Sequence, residues 1–122
     1  MGEDFQTLQG NKQFTSTKVF NDKSADETTS SEVDARHARA ISLYVESGAG
    51  VSGGVVEIEA APYAGYAGTW KQLGTVTTSG ASTLYAVTAD ETQDGLPARV
   101  VRARISTIIS GGTIDAYILT QG

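Results

Sequence analysis

Glu57 and Glu59 stand two residues apart in the run Val55-Val-Glu-Ile-Glu-Ala60. On a strand that spacing puts both carboxylates on one face, roughly 6.6–7 Å apart. Two carboxylates flanking a bond are what glycoside hydrolysis requires. Arg102 and Arg104 repeat the spacing in Arg99-Val-Val-Arg-Ala-Arg-Ile105. The simpler expectation is a set of cross-strand or intersubunit Glu–Arg contacts. The single histidine, His37, lies in a polar stretch, and no Gly-x-Ser-x-Gly elbow is present. A serine triad therefore has no obvious base or nucleophile, and His37 reads as a surface or junction residue. Asp90-Glu-Thr-Gln-Asp-Gly95 offers carboxylate oxygens, but not at EF-hand spacing, and reads as a solvated acidic loop. No catalytic residue, metal site or cofactor is expected.

The most distinctive stretch is Pro62-Tyr-Ala-Gly-Tyr-Ala-Gly-Thr-Trp70, which gathers Tyr63, Tyr66 and the only tryptophan among small residues. Three readings are open. Trp70 is the core tryptophan of a sandwich, the tyrosines pack at a subunit interface, or the three rings form a platform for sugars.

These residues need strands to hold them. From Arg39 onward apolar and polar residues alternate with period two. Ile41, Leu43 and Val45 fall on one side, opposite Ser42, Tyr44 and Glu46. Val56, Ile58 and Ala60 face inward and Glu57 and Glu59 outward. Val101, Ala103 and Ile105 oppose Arg102 and Arg104. Such alternation marks strands with one buried and one wet face. Further runs cover Trp70–Val76, Thr83–Ala89 and Thr113–Leu119, and glycine-rich turns separate the runs. The expected fold is all-β: an antiparallel β-sandwich, jelly-roll or Ig-like, of six to eight short strands. The runs Ile41–Ile58 and Val101–Ala116 echo each other as strand, glycine turn, strand. They predict two similar hairpins that pair within the sandwich.

Residues 1–38 differ. Asn21 to Ser31 holds a single small apolar residue, Ala25, and only Phe14 to Phe20 resembles a strand. This predicts a polar N-terminal arm over 1–38 and a sandwich domain over 39–122. Ser31 to Arg39 has room for one short helical turn.

The 122 residues suit one domain, and zero cysteine excludes disulfides, thiolate metal sites and cysteine nucleophiles. Nine basic against 14 acidic residues give a net charge of -5. That balance argues against nucleic acid and anionic membranes as partners. No run approaches the roughly 18 apolar residues that cross a bilayer.

Four stretches, Val51–Glu59, Tyr66–Trp70, Val101–Thr107 and Ile109–Ile114, together resemble small β-sandwich virion proteins of tailed bacteriophages, a group that includes capsid decoration, or cement, proteins. The resemblance covers roughly the last two-thirds of the chain and leaves the polar N-terminal segment unmatched. It implies a structural role on the capsid surface. The partners it implies are the major capsid protein and further copies of this chain, in a trimer at local threefold positions. On that view Phe14, Val19 and Phe20 anchor the arm on neighbouring subunits, and Tyr63, Tyr66, Arg102 and Arg104 make subunit contacts. The alternatives are a carbohydrate- or receptor-binding module of a phage tail, with Tyr63, Tyr66 and Trp70 lining a groove, and a glycan hydrolase fragment using Glu57 and Glu59.

Overall fold

A computed structural model describes residues 14–36, 38, 40–79, 84–90 and 100–121. His37, residues 91–95 of the acidic loop and the Phe14 side chain lie outside this description. The strands are β1 (Phe14–Lys23), β2 (Val33–Asp34), β3 (Ala40–Ser47), β4 (Gly53–Ala61), β5 (Lys71–Thr77), β6 (Leu84–Asp90), β7 (Val100–Ser110) and β8 (Ile114–Gln121). They form two four-stranded antiparallel sheets, ordered β1-β8-β3-β6 and β2-β7-β4-β5.

One rule generates that order. β1 pairs with β8, β2 with β7, β3 with β6 and β4 with β5. The chain is thus one long antiparallel ribbon, folded back at the β4–β5 connection and wound up, so that successive ribbon segments alternate between the sheets. This is the jelly roll, which decides between the two expected sandwich types. Winding also adds the pairs β3–β8 and β4–β7 at the centre of each sheet.

The period-two residues build the core as expected. Ile41, Leu43, Val45, Ile114, Ala116 and Ile118 from one sheet meet Val56, Ile58, Val101, Ala103 and Ile105 from the other, all nearly or fully inaccessible. Fully burying each Val, Leu or Ile contributes about 1.5–3 kcal/mol, so these inward faces dominate the stability.

The expected boundary at residue 38 is corrected. β1 is the edge strand of the first sheet, and Phe20 is buried in the shared core, with Val19 packed against it. Phe20 therefore cannot anchor the chain on a neighbour. Nor is the polar stretch after β1 a free arm, because it lies along β7. Ile109 N–H donates to Ser24 O (2.9 Å), Glu27 N–H to Ile105 O (2.7 Å), Ile105 N–H to Thr28 O (2.9 Å) and Ser30 N–H to Ala103 O (2.9 Å). The Ser30 hydroxyl accepts from Ala103 N–H at 2.9 Å. β2 continues the line, with Val33 opposite Val101. The one short turn expected between Ser31 and Arg39 follows it: Ala38 N–H donates to Ala35 O at 3.1 Å, and Asp34 Oδ1 caps the turn by accepting from Arg36 N–H at 3.0 Å. Backbone pairing holds this segment, so its side chains can remain polar and exposed.

The two echoing units do pair, but they are not hairpins. Each crosses from one sheet to the other, so the glycine segments are corners. The β3–β4 and β7–β8 corners lie against each other: Gly48 N–H donates to Thr113 O (3.1 Å) and Ser52 N–H to Ser110 O (2.8 Å). Exchanging β3 with β7 and β4 with β8 carries the β3–β8 pair onto the β7–β4 pair. The sequence echo thus corresponds to an approximate twofold relation within the fold.

Candidate functional site

The outer face of the second sheet holds the charged residues singled out above. β4–β7 register sets Glu57 opposite Arg104 and Glu59 opposite Arg102. Arg102 Nε donates to Glu59 Oε1 at 2.7 Å, and Arg104 Nη1 to Glu57 Oε2 at 3.3 Å. A third carboxylate comes from the segment beside β7. Glu27, at a left-handed φ of 64°, accepts from Arg104 Nη2 with both oxygens at 2.9 Å. The Glu27 hydrogen bond outweighs the cost of burial and holds the Arg104 guanidinium above its ordinary range, with the charges of Glu27, Glu57 and Glu59 adding to the shift.

The expected cross-strand Glu–Arg contacts are therefore present within the chain. Arg102 and Arg104, read from the sequence as candidates for subunit contacts, are engaged in these pairs and remain partly exposed. The same geometry spends Glu57 and Glu59 on guanidinium partners along a ladder.

Glu59 differs from the other carboxylates in being buried, although it sits on the outer face. The Arg102 guanidinium that it holds lies 4.0 Å from the centroid of the Trp70 ring. Trp70 ends the β4–β5 connection, residues 62–70, at the fold-back of the ribbon. It is buried with Ala61 and Val100 in a small cluster separate from the inter-sheet core. Its Nε1–H donates to Tyr66 O at 3.1 Å. Trp70 is thus buried, as one reading expected, but outside the main core. With Arg102 against its ring, it cannot serve as an open sugar platform.

Removing Arg102 would leave the Glu59 carboxylate buried without its partner. Arg102→Met is expected to destabilise by about 3 kcal/mol, at the lower end of the range for a broken buried pair because Arg102 itself is partly exposed. Glu27→Gln, at an exposed partner, is expected to cost at most about 1 kcal/mol. Urea unfolding of the two variants measures the contrast, and equal losses would contradict it.

The tyrosines lead outward from this ladder. The Tyr66 ring packs on Trp70 with centroids 6.5 Å apart, and Tyr63 meets Tyr66 edge-on at 5.2 Å. Tyr66 is half-buried, while Tyr63 is 59% exposed. Beside Tyr63 opens a cleft of about 430 Å³, lined by Glu32, Asp34, Arg36, Ala64 and Val100. Glu32 accepts from Gly65 N–H with both oxygens, at 3.1 and 3.2 Å, and ties the loop to the residues before β2. Gly65 has a φ of 76°, a conformation that suits glycine. Across the cleft Arg36 grips Asp34 by Nε and Nη2, at 3.0–3.2 Å. Sequence reasoning found Tyr63 but not the facing wall. Asp34 and Arg36 lie about thirty residues away in a stretch that reads only as polar.

No protein-family model matches this chain, and no curated protein sequence matches it. Among solved structures, the crystal structure of the SPBc2 prophage-derived protein YomS is similar over 91% of this chain and 95% of that one, with a TM-score of 0.58 and 12% identity. The two share a fold over nearly their whole lengths. A chain of the Bacillus endospore appendages, described as disulfide-linked pili, aligns over 89% of this chain and 88% of that one, at 16% identity and a TM-score of 0.39. A chain of the T13 IBDV viral particle aligns over 89% of this chain and 31% of that one, at 14% identity and a TM-score of 0.47. At those two scores the overlap is too loose to carry an argument.

Proposed function

We propose that this protein is a non-enzymatic structural component of a phage virion, specifically a capsid decoration protein that binds across neighbouring subunits of the major capsid protein and strengthens the head. One observation carries the reading: its fold is similar to that of a prophage-derived protein over 91% of this chain and 95% of that one. The resemblance of its turn-and-strand motifs to small phage virion proteins points the same way.

The arrangement suits a part that works by contact. Glu57, Glu59, Arg102 and Arg104 are paired within the chain, so the ladder stiffens the sheet rather than offering free charges. Exposed Tyr63 and the outer edge of β1 are left as contact features. A strand edge takes up a partner strand through main-chain hydrogen bonds. Residues 1–13 precede β1 and span up to about 45 Å when extended, enough to reach a neighbouring subunit. Copies grouped around local threefold positions would add weak contacts into avidity.

Removal of residues 1–13 is expected to leave a folded domain, because β1–β8 and the core they enclose are built from residues 14–121, but to abolish decoration of heads. Purified heads incubated with each form and imaged by cryo-electron microscopy make the comparison. Full occupancy by the shortened protein would sink the role given to these residues. Absence of the complete chain from heads at saturating concentration would sink the decoration reading itself.

A further inference from the structure

We propose that the cleft between the β4–β5 connection and β2 binds a neutral hexopyranose unit of a glycan. Three features of its walls lead there. The first is the bracing of Tyr63. Its exposed ring rests on Tyr66, Tyr66 on Trp70, and Trp70 against Arg102, which Glu59 holds from the sheet. A large aromatic ring left in water yet fixed by a chain of contacts is preorganised contact area, ordered before any ligand arrives. The apolar C–H face of a pyranose matches such a ring.

The second feature is the opposite wall. Asp34 and Arg36 form an exposed bidentate ion pair through Nε and Nη2, and Asp34 Oδ1 also accepts from Arg36 N–H at 3.0 Å. A sugar hydroxyl both donates and accepts, so neighbouring hydroxyls can bridge the carboxylate and guanidinium edges of one pair. Glu32 adds acceptor oxygens, and Ala64 and Val100 keep part of the lining apolar. At about 430 Å³ the cleft falls within the range of roughly 300–1,000 Å³ usual for small-ligand sites.

The third feature is charge. Among the described residues of the lining, two carboxylates, Glu32 and Asp34, stand beside one guanidinium, that of Arg36, which Asp34 engages. On a chain of net charge -5 this disfavours sialylated, uronic or sulfated sugars. A basic side chain of another protein would meet the carboxylates but would also face Arg36, and would leave the hydroxyl-matching edges unused.

The inference goes beyond a capsid role and does not depend on it. The test uses the complete chain on an array of neutral and acidic glycans, with hits checked by saturation-transfer NMR. Neutral hexose-containing glycans should bind and their acidic counterparts should not. Tyr63→Ala should weaken binding roughly tenfold or more, and Tyr63→Phe should retain it. Both variants should melt like the parent, since Tyr63 is outside either core cluster. The absence of any neutral glycan signal at millimolar concentration would overturn the proposal. So would signals unchanged in Tyr63→Ala, or a lysine-rich peptide that binds through Tyr63 where no glycan does.

Discussion

Phe20→Ala is expected to destabilise the domain by about 3–5 kcal/mol, a large share of the roughly 5–15 kcal/mol that holds a typical domain together. The side chain is among the largest in the core and is 2% exposed. It also sits where the pairing of β1 with β8 slips, between Lys18 and Lys23. Truncation to alanine removes buried surface and leaves a cavity that a bulged edge strand closes only in part. Deleting residues 1–30 goes further. It removes β1, bares the edge of β8 and strips the backbone partners from β7. That chain is expected to collect in inclusion bodies or to show no cooperative unfolding. Urea titration of Phe20→Ala and expression of the deletion make the measurement. A loss under 1 kcal/mol, or a deleted chain that unfolds cooperatively, would mean that β1 docks elsewhere.

The difference between that expectation and a detachable arm of 38 residues shows what the sequence could convey. Strands β3, β4, β7 and β8 were legible because their inward residues repeat every second position and are apolar. Residues 24–32 were not, because they contribute main-chain hydrogen bonds to β7, and those carry no side-chain signature. Phe14 to Phe20 was legible as a strand, though not its place in the first sheet, whereas Val33 and Ala35 were isolated apolar positions in a polar stretch, too few to set a period. The ladder was half legible. Complementary pairs at matching spacing predicted Glu–Arg contacts, but not the burial of Glu59, which depends on Arg102 and the neighbouring Trp70. Periodicity also assigns faces without assigning sheets, so a corner between sheets looks like a hairpin. The cleft shows the same limit: one wall is a conspicuous aromatic loop, and the other was brought to it by winding of the ribbon.

The corners that disguised this topology supply the second large effect. Gly111→Ala is expected to cost about 2–5 kcal/mol. Gly111 has a φ of 85°, where an L-residue costs about 1–2 kcal/mol. A Cβ there would also run into the carbonyl oxygen of Gly50, with the Gly50 carbonyl carbon at 3.1 Å and Ser52 N at 3.3 Å. These are backbone atoms of the facing corner, so no side chain can swing aside, and such overpacking typically costs about 1–3 kcal/mol more. Relief requires the β3–β4 and β7–β8 corners to separate, which strains the hydrogen bonds from Gly48 N–H to Thr113 O and from Ser52 N–H to Ser110 O. Gly53 is the control, because a Cβ there meets nothing within 4 Å and its φ is not left-handed. Gly53→Ala should be neutral, or stabilising by up to about 1 kcal/mol through a less flexible unfolded chain. Denaturation midpoints of the two alanine variants separate a close approach of corners from a general dislike of alanine in turns. Equal midpoints would contradict the contact, and with it the physical reason for glycine at both corners of the echo.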